Sequence, residues 1–186
     1  MKATRALSSI VLLGASTALS GQHFDCSFNK LVEHSAQRIA LAHQIALAKW
    51  DSGAAVEDFD REMQVIQHAT TIGRAKGLSN TVTSSFFRDQ IEANKVVQYS
   101  LFSDWHRIGA TPNHSPQNLS AIRIELDRLQ GVLIADLVET FNLRSQPGCA
   151  TAVAASIHQF VSKRGTSDTN LETIALKRAL GSVCIP

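Results

Sequence analysis

Residues 28–50 read FNKLVEHSAQRIALAHQIALAKW, and this stretch decides the fold. Its apolar side chains recur at the three- and four-residue spacing of an α-helix, with no glycine or proline between them. These apolar positions are Leu31, Val32, Ile39, Ala42, Ile45 and Ala46. The pattern therefore predicts one long amphipathic helix over residues 28–50 that buries one of its faces.

Helical patterns continue along the rest of the chain, separated by short breaks. An Asp-Ser-Gly break follows the first pattern, and Gly77 is placed to end a second helix over residues 56–76. Ser79 or Asn80 can cap a third, long helix that ends near Arg107. Further helices are predicted over residues 119–143, 149–163 and 169–183. Because no segment alternates with the period of two that a strand requires, the sequence predicts an all-α fold, a single helical bundle domain with long helices.

The composition supports one ordinary globular domain. The chain has 186 residues, of which 44% are hydrophobic and 18% charged, with 10 glycines and 4 prolines. This hydrophobic content excludes a disordered or collagen-like chain. A protein that crosses a membrane several times is excluded as well, because only the N-terminus carries an apolar run that approaches membrane length.

The N-terminus has the three-part pattern of a secretory signal peptide. Lys2 and Arg5 precede an apolar run at residues 6–15, and small residues follow at 18–21. The order predicts a signal peptide over residues 1–20, cleaved near Ser20-Gly21, and a mature domain over residues 21–186. A buried N-terminal helix is the alternative interpretation.

Removal of the signal peptide changes the charge balance. The full chain has 18 basic and 16 acidic residues. Cleavage removes Lys2 and Arg5 and no acid, so the mature protein is formally neutral. A neutral surface gives no support to a nucleic-acid partner or an anionic membrane partner. The predicted location is periplasmic or secreted.

The three cysteines are far apart in the sequence and form no Cys-x-x-Cys pair, which disfavours a zinc site. In an oxidising compartment one pair should close into a disulfide. Cys149 and Cys184 bracket the C-terminal helical segment, whereas Cys26 lies near the new N-terminus. We therefore predict a Cys149–Cys184 bridge that ties the C-terminal helical segment to the domain.

Several polar side chains interrupt otherwise apolar helix faces at helical spacing. Arg38 and Lys49 lie three turns apart on one face of the first predicted helix. The full set is Arg38, Lys49, Asp58, Arg61, Glu62, Asn94, Gln98 and Arg123. Each residue alone is typical of a solvated surface or an ion pair along a helix. Together they can line a cationic pocket suited to a small dicarboxylate, because a guanidinium holds a carboxylate through two parallel hydrogen bonds.

The spacing of these residues resembles that of the all-helical chorismate mutases, and within them the secreted (gamma) subclass. The shared pattern is Arg38-x10-Lys49-x8-Asp58-x2-Arg61-Glu62 with Asn94 and Gln98 following. The sequence around these residues is also similar to the secreted subclass, at Ala48-Lys49-Trp50, residues 87–93 and residues 98–105. Residues 119–123 place Arg123 where that subclass has an extra arginine. The resemblance covers residues 31–136 well and the remainder only loosely.

This resemblance implies a reaction and a role for each residue of the set. The reaction would be the rearrangement of chorismate to prephenate, which needs no metal and no cofactor. Arg38, Arg61 and Arg123 would hold the two carboxylates, and Lys49 and Gln98 would donate hydrogen bonds to the ether oxygen. Asp58 and Glu62 would bind the substrate hydroxyl, and Asn94 would contact a carboxylate. Catalytic roles are expected for Lys49, Gln98 and Arg38.

The resemblance also bears on assembly, pH dependence and competing functions. Because Arg123 comes from the same chain, each site of the expected homodimer should be complete within one subunit. Gln98 stands where some secreted members have glutamate, so no carboxyl group titrates there. Two alternatives stay open: an isochorismate-pyruvate lyase of the same fold, and an exported helical module that binds a carboxylate ligand or a protein without catalysis.

Overall fold

The computed structural model describes residues 28–165 and 169–185, and within them the chain forms a helical bundle. The predicted signal peptide and Cys26 lie outside the described residues. The helices are α1 (Asn29–Ala40), α2 (Ala42–Ser52), α3 (Phe59–Ala75), α4 (Asn80–Ile108), α5 (Leu119–Glu139), α6 (Phe141–Arg144), α7 (Cys149–Arg164) and α8 (Thr169–Ala179). The described residues contain no strand, which confirms the all-α prediction.

The first predicted helix is interrupted. The structure divides residues 28–50 into α1 and α2 at Leu41, where φ is −69° and ψ is −14°. These angles remain in the right-handed helical region, so the break is a local change in hydrogen bonding rather than a turn of the chain. Arg38 and Lys49 therefore lie on separate helices, although the apolar pattern runs through both.

The long helix α4 organises the bundle. It packs against α1, α2, α3 and α8, while α5 packs against α1 and α3. The N-terminus of α4 is capped by Ser79, whose side chain accepts a hydrogen bond from the backbone N–H of Val82 at 3.2 Å. The main core lies between α1, α4, α5, α7 and α8 and includes Phe28, Val32, Phe86, Phe87, Leu133, Leu137, Leu176 and Val183.

A smaller aromatic cluster lies between the C-terminal half of α4 and helix α2. Trp50 meets Phe102 edge to face at 5.4 Å between ring centroids and Trp105 at 5.6 Å. Leu47 and Ala46 of α2 complete the buried part of this cluster. Offset and edge-to-face pairs of this kind add to the free energy of burial, so the cluster fixes α2 on α4.

Both ends of helix α3 are determined by local interactions. It begins at Phe59, three residues later than predicted, because Asp58 serves as its N-cap. It ends as predicted before Gly77, which has φ of +85°. The Leu78 N–H donates to the Gly73 carbonyl at 2.9 Å and the Gly77 N–H to Arg74 at 3.1 Å. These two bonds form a Schellman motif, for which glycine is suited by its freedom to adopt positive φ.

The C-terminal segment is tied to the bundle in two ways. Cys149 and Cys184 form the predicted disulfide, which links the first residue of α7 to the tail after α8. The fully buried Arg144 donates from Nε to the Val183 carbonyl at 2.7 Å and from Nη1 to Leu137 at 2.9 Å. The tail is therefore held by a covalent bond and by a buried guanidinium bound to main-chain carbonyls.

Two of the later helices differ from their predicted lengths. The predicted helix over residues 119–143 is split at Thr140, whose hydroxyl donates to the Asp136 carbonyl at 2.7 Å. Helix α8 ends at Ala179 rather than at residue 183. Within the part of the chain that the structure describes, no helix has the length and apolar character needed to cross a bilayer.

Candidate active site

A single cavity brings together side chains from five helices and one connection. All eight residues that the sequence pattern singled out lie on its wall: Arg38, Lys49, Asp58, Arg61, Glu62, Asn94, Gln98 and Arg123. Its apolar surface comes from Ile45, Val56, Val65, Ile91, Leu119, Ile122 and Leu126. Helices α1 to α5 and the connection between α2 and α3 thus supply the lining residues.

The start of α3 positions three of these side chains at once. Asp58 caps the helix, and its Oδ1 accepts a hydrogen bond from the Arg61 N–H at 3.2 Å. Glu62 reaches back one turn and accepts from the Asp58 N–H at 3.3 Å. Reciprocal bonds of this kind satisfy N–H groups that a helix N-terminus otherwise leaves free. The helix start therefore holds a cation and two carboxylates at fixed places on the cavity wall.

Lys49 lies near the end of α2, beneath the connection to α3. Gly53, at φ of +68°, is the C-cap of α2, and Val56 in the connection that follows lines the cavity. The Lys49 ammonium donates to the carbonyl of Val56 in that connection. Burial lowers the pKa of Lys49, and the carboxylates of Asp58 and Glu62 partly oppose this effect. Lys49 is thus a half-buried cation on the cavity wall.

Arg38 is the most buried cation of the site. Its exposed fraction is 4%, and burial lowers its pKa to about 10 despite the opposing effect of Asp127. Its Nε has no hydrogen-bond partner among the described residues. A buried guanidinium with an unmet donor is favourable only if a ligand or a water supplies the acceptor. Arg38 also lines the cavity, so its guanidinium can bind an anionic group there.

Arg61 and Arg123 are the more exposed cations. Arg61 Nη2 lies 3.4 Å from Asp127 Oδ1 on α5, which links α3 to α5 near the cavity. Arg123 lies in the first turn and a half of α5, which begins after the N-cap Asn118. The Asn118 side chain accepts from the N–H groups of Ser120 and Ala121 at 3.0 and 3.2 Å. This cap fixes the direction of the helix that carries Arg123.

Asn94 and Gln98 form a buried polar chain on α4. Asn94 Nδ2 donates to the main-chain carbonyl of Arg38 at 3.2 Å, and Gln98 Nε2 donates to Asn94 Oδ1 at 2.7 Å. Both side chains are buried. The Arg38 carbonyl can only accept a hydrogen bond, so it fixes which end of the Asn94 amide is the nitrogen. The Asn94 oxygen in turn fixes the orientation of the Gln98 amide.

Lys95 is a lining residue that the sequence analysis missed. Its ammonium lies 2.7 Å from Glu92 and 3.3 Å from Glu62, and 12% of its side chain is exposed. Burial lowers the pKa of Lys95, but the hydrogen bonds to Glu92 and Glu62 outweigh it and the net effect is a raised pKa. In the sequence, Lys95 and Glu92 resemble an ordinary surface pair along one helix. The contact that places Lys95 in the site is its ion pair with Glu62 on α3, and the sequence around Lys95 does not predict this contact.

The cavity carries a net positive charge. Five cationic side chains line it, counting Lys95, against the carboxylates of Asp58 and Glu62. A confined cationic space attracts anions more strongly than an exposed one, because low-dielectric walls focus the field. The lining is therefore suited to a small molecule with more than one negative charge.

Comparison with known proteins identifies the family. The sequence profile of chorismate mutase type II matches residues 29–99. The crystal structure of a chorismate mutase from Burkholderia phymatum is 38% identical to this chain, with a TM-score of 0.81 over 86% of this chain and 97% of that one. The chain belongs to the chorismate mutase family.

Further chorismate mutases are similar over most of this chain. That of Burkholderia thailandensis is 32% identical, with a TM-score of 0.80, and this chain covers 100% of it. The secreted chorismate mutase of Mycobacterium tuberculosis is 29% identical over 155 residues, which are 83% of this chain and 77% of that protein. The protein is thus an isomerase that converts chorismate to prephenate.

The chemistry of a chorismate mutase agrees with what the cavity offers. The reaction is intramolecular: a carbon–oxygen bond breaks as a carbon–carbon bond forms, and negative charge grows on the ether oxygen. Such a step is accelerated by holding a reactive conformer and by donors placed where charge develops. Fixed cations and amide donors on rigid helices meet both needs.

Proposed function

We propose that the cavity between α1 and α5 is the active site in which chorismate rearranges. The observation that carries this proposal is the convergence of eight side chains, separated by up to 85 positions in the sequence, on one cationic cavity. Chorismate carries two carboxylates, a hydroxyl group and an ether oxygen, and each has a matching group on the wall. Helices hold these groups in place, which reduces the reorganisation needed during the reaction.

The two carboxylates are bound by arginines. Arg38 supplies a buried guanidinium whose Nε lacks a protein partner among the described residues. Arg61 and Arg123 approach from α3 and α5 and hold the second carboxylate near the mouth of the cavity. Their paired N–H donors match the geometry of a carboxylate, so they fix the substrate in a compact conformer as well as binding it.

The ether oxygen is bound by Lys49 and Gln98. The Lys49 ammonium exchanges the Val56 carbonyl for the ether oxygen as negative charge develops there. Gln98 donates a neutral amide hydrogen from the opposite helix, α4. Asp58 and Glu62 bind the substrate hydroxyl, and Lys95 holds the Glu62 carboxylate in place.

The subunit is proposed to form a homodimer with each active site inside one chain. The placement of each site inside one chain is supported by Arg123, which shares the cavity wall with Arg38 and Arg61 of the same chain. Specific activity should then stay constant on dilution through any dimer–monomer transition that light scattering detects.

We also propose that residues 1–20 are a cleaved signal peptide and that residues 21–186 form the mature mutase domain in the periplasm or outside the cell. The basic, apolar and small segments in that order support this proposal, as does the name of the secreted mycobacterial relative. The intact mass of the exported protein should correspond to an N-terminus at Gly21.

The site assignment is tested by the loss of chorismate absorbance with the purified mature protein and its Lys49→Ala variant. Wild type should turn over at ~1–10³ s⁻¹, the usual range for enzymes. Lys49→Ala should lower kcat by about 10²–10³, the typical cost of removing one donor to a developing oxyanion. Lys163→Ala, an exposed lysine of α7 outside the cavity, is the matched control and should leave kcat unchanged.

The product separates the competing chemistries. Prephenate identified by mass spectrometry supports the mutase site, whereas release of pyruvate from isochorismate would indicate a lyase. A Lys49→Ala variant as fast as wild type would refute the proposed role of this cavity. An inactive wild type that still binds a dicarboxylate would indicate an exported binding module.

A further inference from the structure

Three buried groups in the active site form a relay of hydrogen bonds that begins at the protein backbone. The Arg38 carbonyl accepts from Asn94 Nδ2 at 3.2 Å, and Asn94 Oδ1 accepts from Gln98 Nε2 at 2.7 Å. Asn94 has an exposed fraction of 5% and Gln98 of 3%. Solvent therefore does not compete for these bonds, and each amide depends on its neighbour for its orientation.

The direction of the relay follows from the chemistry of its first group. A main-chain carbonyl can only accept, so it requires the nitrogen of Asn94 on its side. The oxygen of Asn94 then faces Gln98, and because that oxygen also only accepts, Gln98 must present its nitrogen. The backbone of α1 thereby determines which end of the Gln98 amide lies towards Asn94 and which end lies away.

The remaining atoms of Gln98 agree with this assignment. The Nε2 atom carries two hydrogens, of which Asn94 takes one, so one donor stays available. The Oε1 atom is buried, with no hydrogen-bond partner among the described residues. Because an amide oxygen cannot donate, the free Nε2 hydrogen is the part of the Gln98 amide that can still bind an acceptor in the cavity.

We propose that Asn94 is a positioning residue that fixes the amide orientation of Gln98, and that it acts through Gln98 rather than by binding a substrate carboxylate. This inference rests on the proposed role of Gln98 as a donor to the ether oxygen. Without Asn94 the Gln98 amide loses the hydrogen bond that fixes its orientation, so its two ends can exchange places. Its oxygen then opposes the ether oxygen, and two acceptors face each other where negative charge develops.

The test is a double-mutant cycle with Asn94→Ala, Gln98→Ala and the double variant, measured as kcat and KM for chorismate. Asn94→Ala should lower kcat by about 10–100-fold, since small misplacements of a catalytic group have effects of this size. Its KM should change little. In the Gln98→Ala background the same substitution should change kcat by less than about 3-fold, because the group on which it acts is absent.

A substrate contact would give the opposite pattern. If Asn94 binds a carboxylate directly, its removal raises KM, and its effect multiplies with that of Gln98→Ala. Either result would overturn the positioning role. If Gln98→Ala itself leaves kcat at the wild-type value, the proposed active-site assignment of Gln98 fails, and the two failures are thus distinguishable.

Two further variants separate positioning from folding. Asn94→Leu fills a similar volume without polar atoms and should reproduce the kcat loss of Asn94→Ala. Gln130→Ala removes another buried amide, which bonds His68 at 3.0 Å outside the cavity. It should lower the melting temperature but leave kcat unchanged. A kcat loss for Gln130→Ala equal to that for Asn94→Ala would mean that the effect is structural.

Discussion

At the scale of single residues, the lowered pKa of Lys49 bears on how the proposed active site responds to pH. Burial lowers its pKa from the ordinary 10.5, the carboxylates of Asp58, Glu62 and Glu57 raise it, and Lys95 lowers it further. In the proposed mechanism the ammonium is the form of Lys49 that donates to the ether oxygen. Activity is therefore present below the pKa of Lys49 and is lost as the pH rises through it.

We expect kcat to be flat from about pH 5 to 8 and to fall on the alkaline side with an apparent pKa below 10.5. No loss near neutral pH arises at Gln98, because its amide does not titrate. The measurement is kcat against pH for wild type and for Gln98→Glu. The variant must be protonated at this position to donate, so its activity should fall as the pH rises. A steep wild-type loss above pH 6 would contradict the donor role of Gln98.

The residues of the site divide into those that sequence patterns can predict and those that they cannot. The helical spacing of apolar residues predicts that Arg38, Lys49 and Arg123 lie on otherwise apolar faces, so the sequence pattern identifies them as candidates. Lys95 can pair with Glu92 on its own helix, so nothing in the sequence distinguishes it from a lysine in an ordinary surface ion pair. The Asn94–Gln98 bond follows the four-residue spacing, but its polarity depends on a carbonyl of α1 that is distant in sequence.

At the scale of helices, α3 and α4 approach each other closely at Gly73. A Cβ atom added at Gly73 would lie 2.6 Å from Thr83 Oγ1 and 3.0 Å from its Cγ2. Thr83 is fully buried, and its hydroxyl donates to the Ser79 carbonyl at 3.0 Å. A stiff, β-branched side chain in this position cannot move away easily, so the glycine permits the contact.

Gly73→Ala should therefore destabilise the protein by about 1–2 kcal/mol, because overpacking outweighs the better helix propensity of alanine. Urea unfolding of Gly73→Ala, Thr83→Ala and the double variant measures this, and the double variant should recover part of the loss. The matched control is Gly131→Ala on α5, where an added Cβ meets nothing within 4 Å. That variant should gain up to ~1 kcal/mol from helix propensity. Equal effects at the two glycines would contradict the packing argument.

The helices themselves follow from the sequence more closely than their breaks do. Capping residues set the starts of α3, α4 and α5, and glycine sets the end of α3. The breaks at Leu41 and Thr140 keep helical or near-helical angles, so the apolar period continues across them. A one-residue break leaves periodicity unchanged, and only the three-dimensional packing decides where it falls.

At the scale of the whole molecule, the cavity and the disulfide lie on different helices of one bundle. The cavity is lined by α1 to α5, whereas the disulfide joins the start of α7 to the tail after α8. The two cysteines are 35 positions apart in the sequence, which sets the size of the loop that the disulfide closes. Closing a loop of this size restricts the unfolded chain and typically contributes about 2–4 kcal/mol to stability.

Replacing both cysteines, as Cys149→Ala with Cys184→Ala, should lower the free energy of unfolding by about 2–4 kcal/mol and leave kcat at 25 °C unchanged. Chemical denaturation and a steady-state assay on the same preparations provide the two measurements. Wild type under reducing conditions should match the double variant. A large fall in kcat without a fall in stability would mean that the C-terminal segment acts on the active site directly.

The position of the tryptophans has a consequence for optical experiments. The chain has two tryptophans, Trp50 and Trp105, and both lie in the aromatic cluster between α2 and α4. Intrinsic fluorescence therefore reports only the corner of the bundle adjacent to Lys49, while circular dichroism averages over all helices. A difference between the two transition midpoints would show that this corner melts separately from the rest of the bundle, without any label attached to the protein.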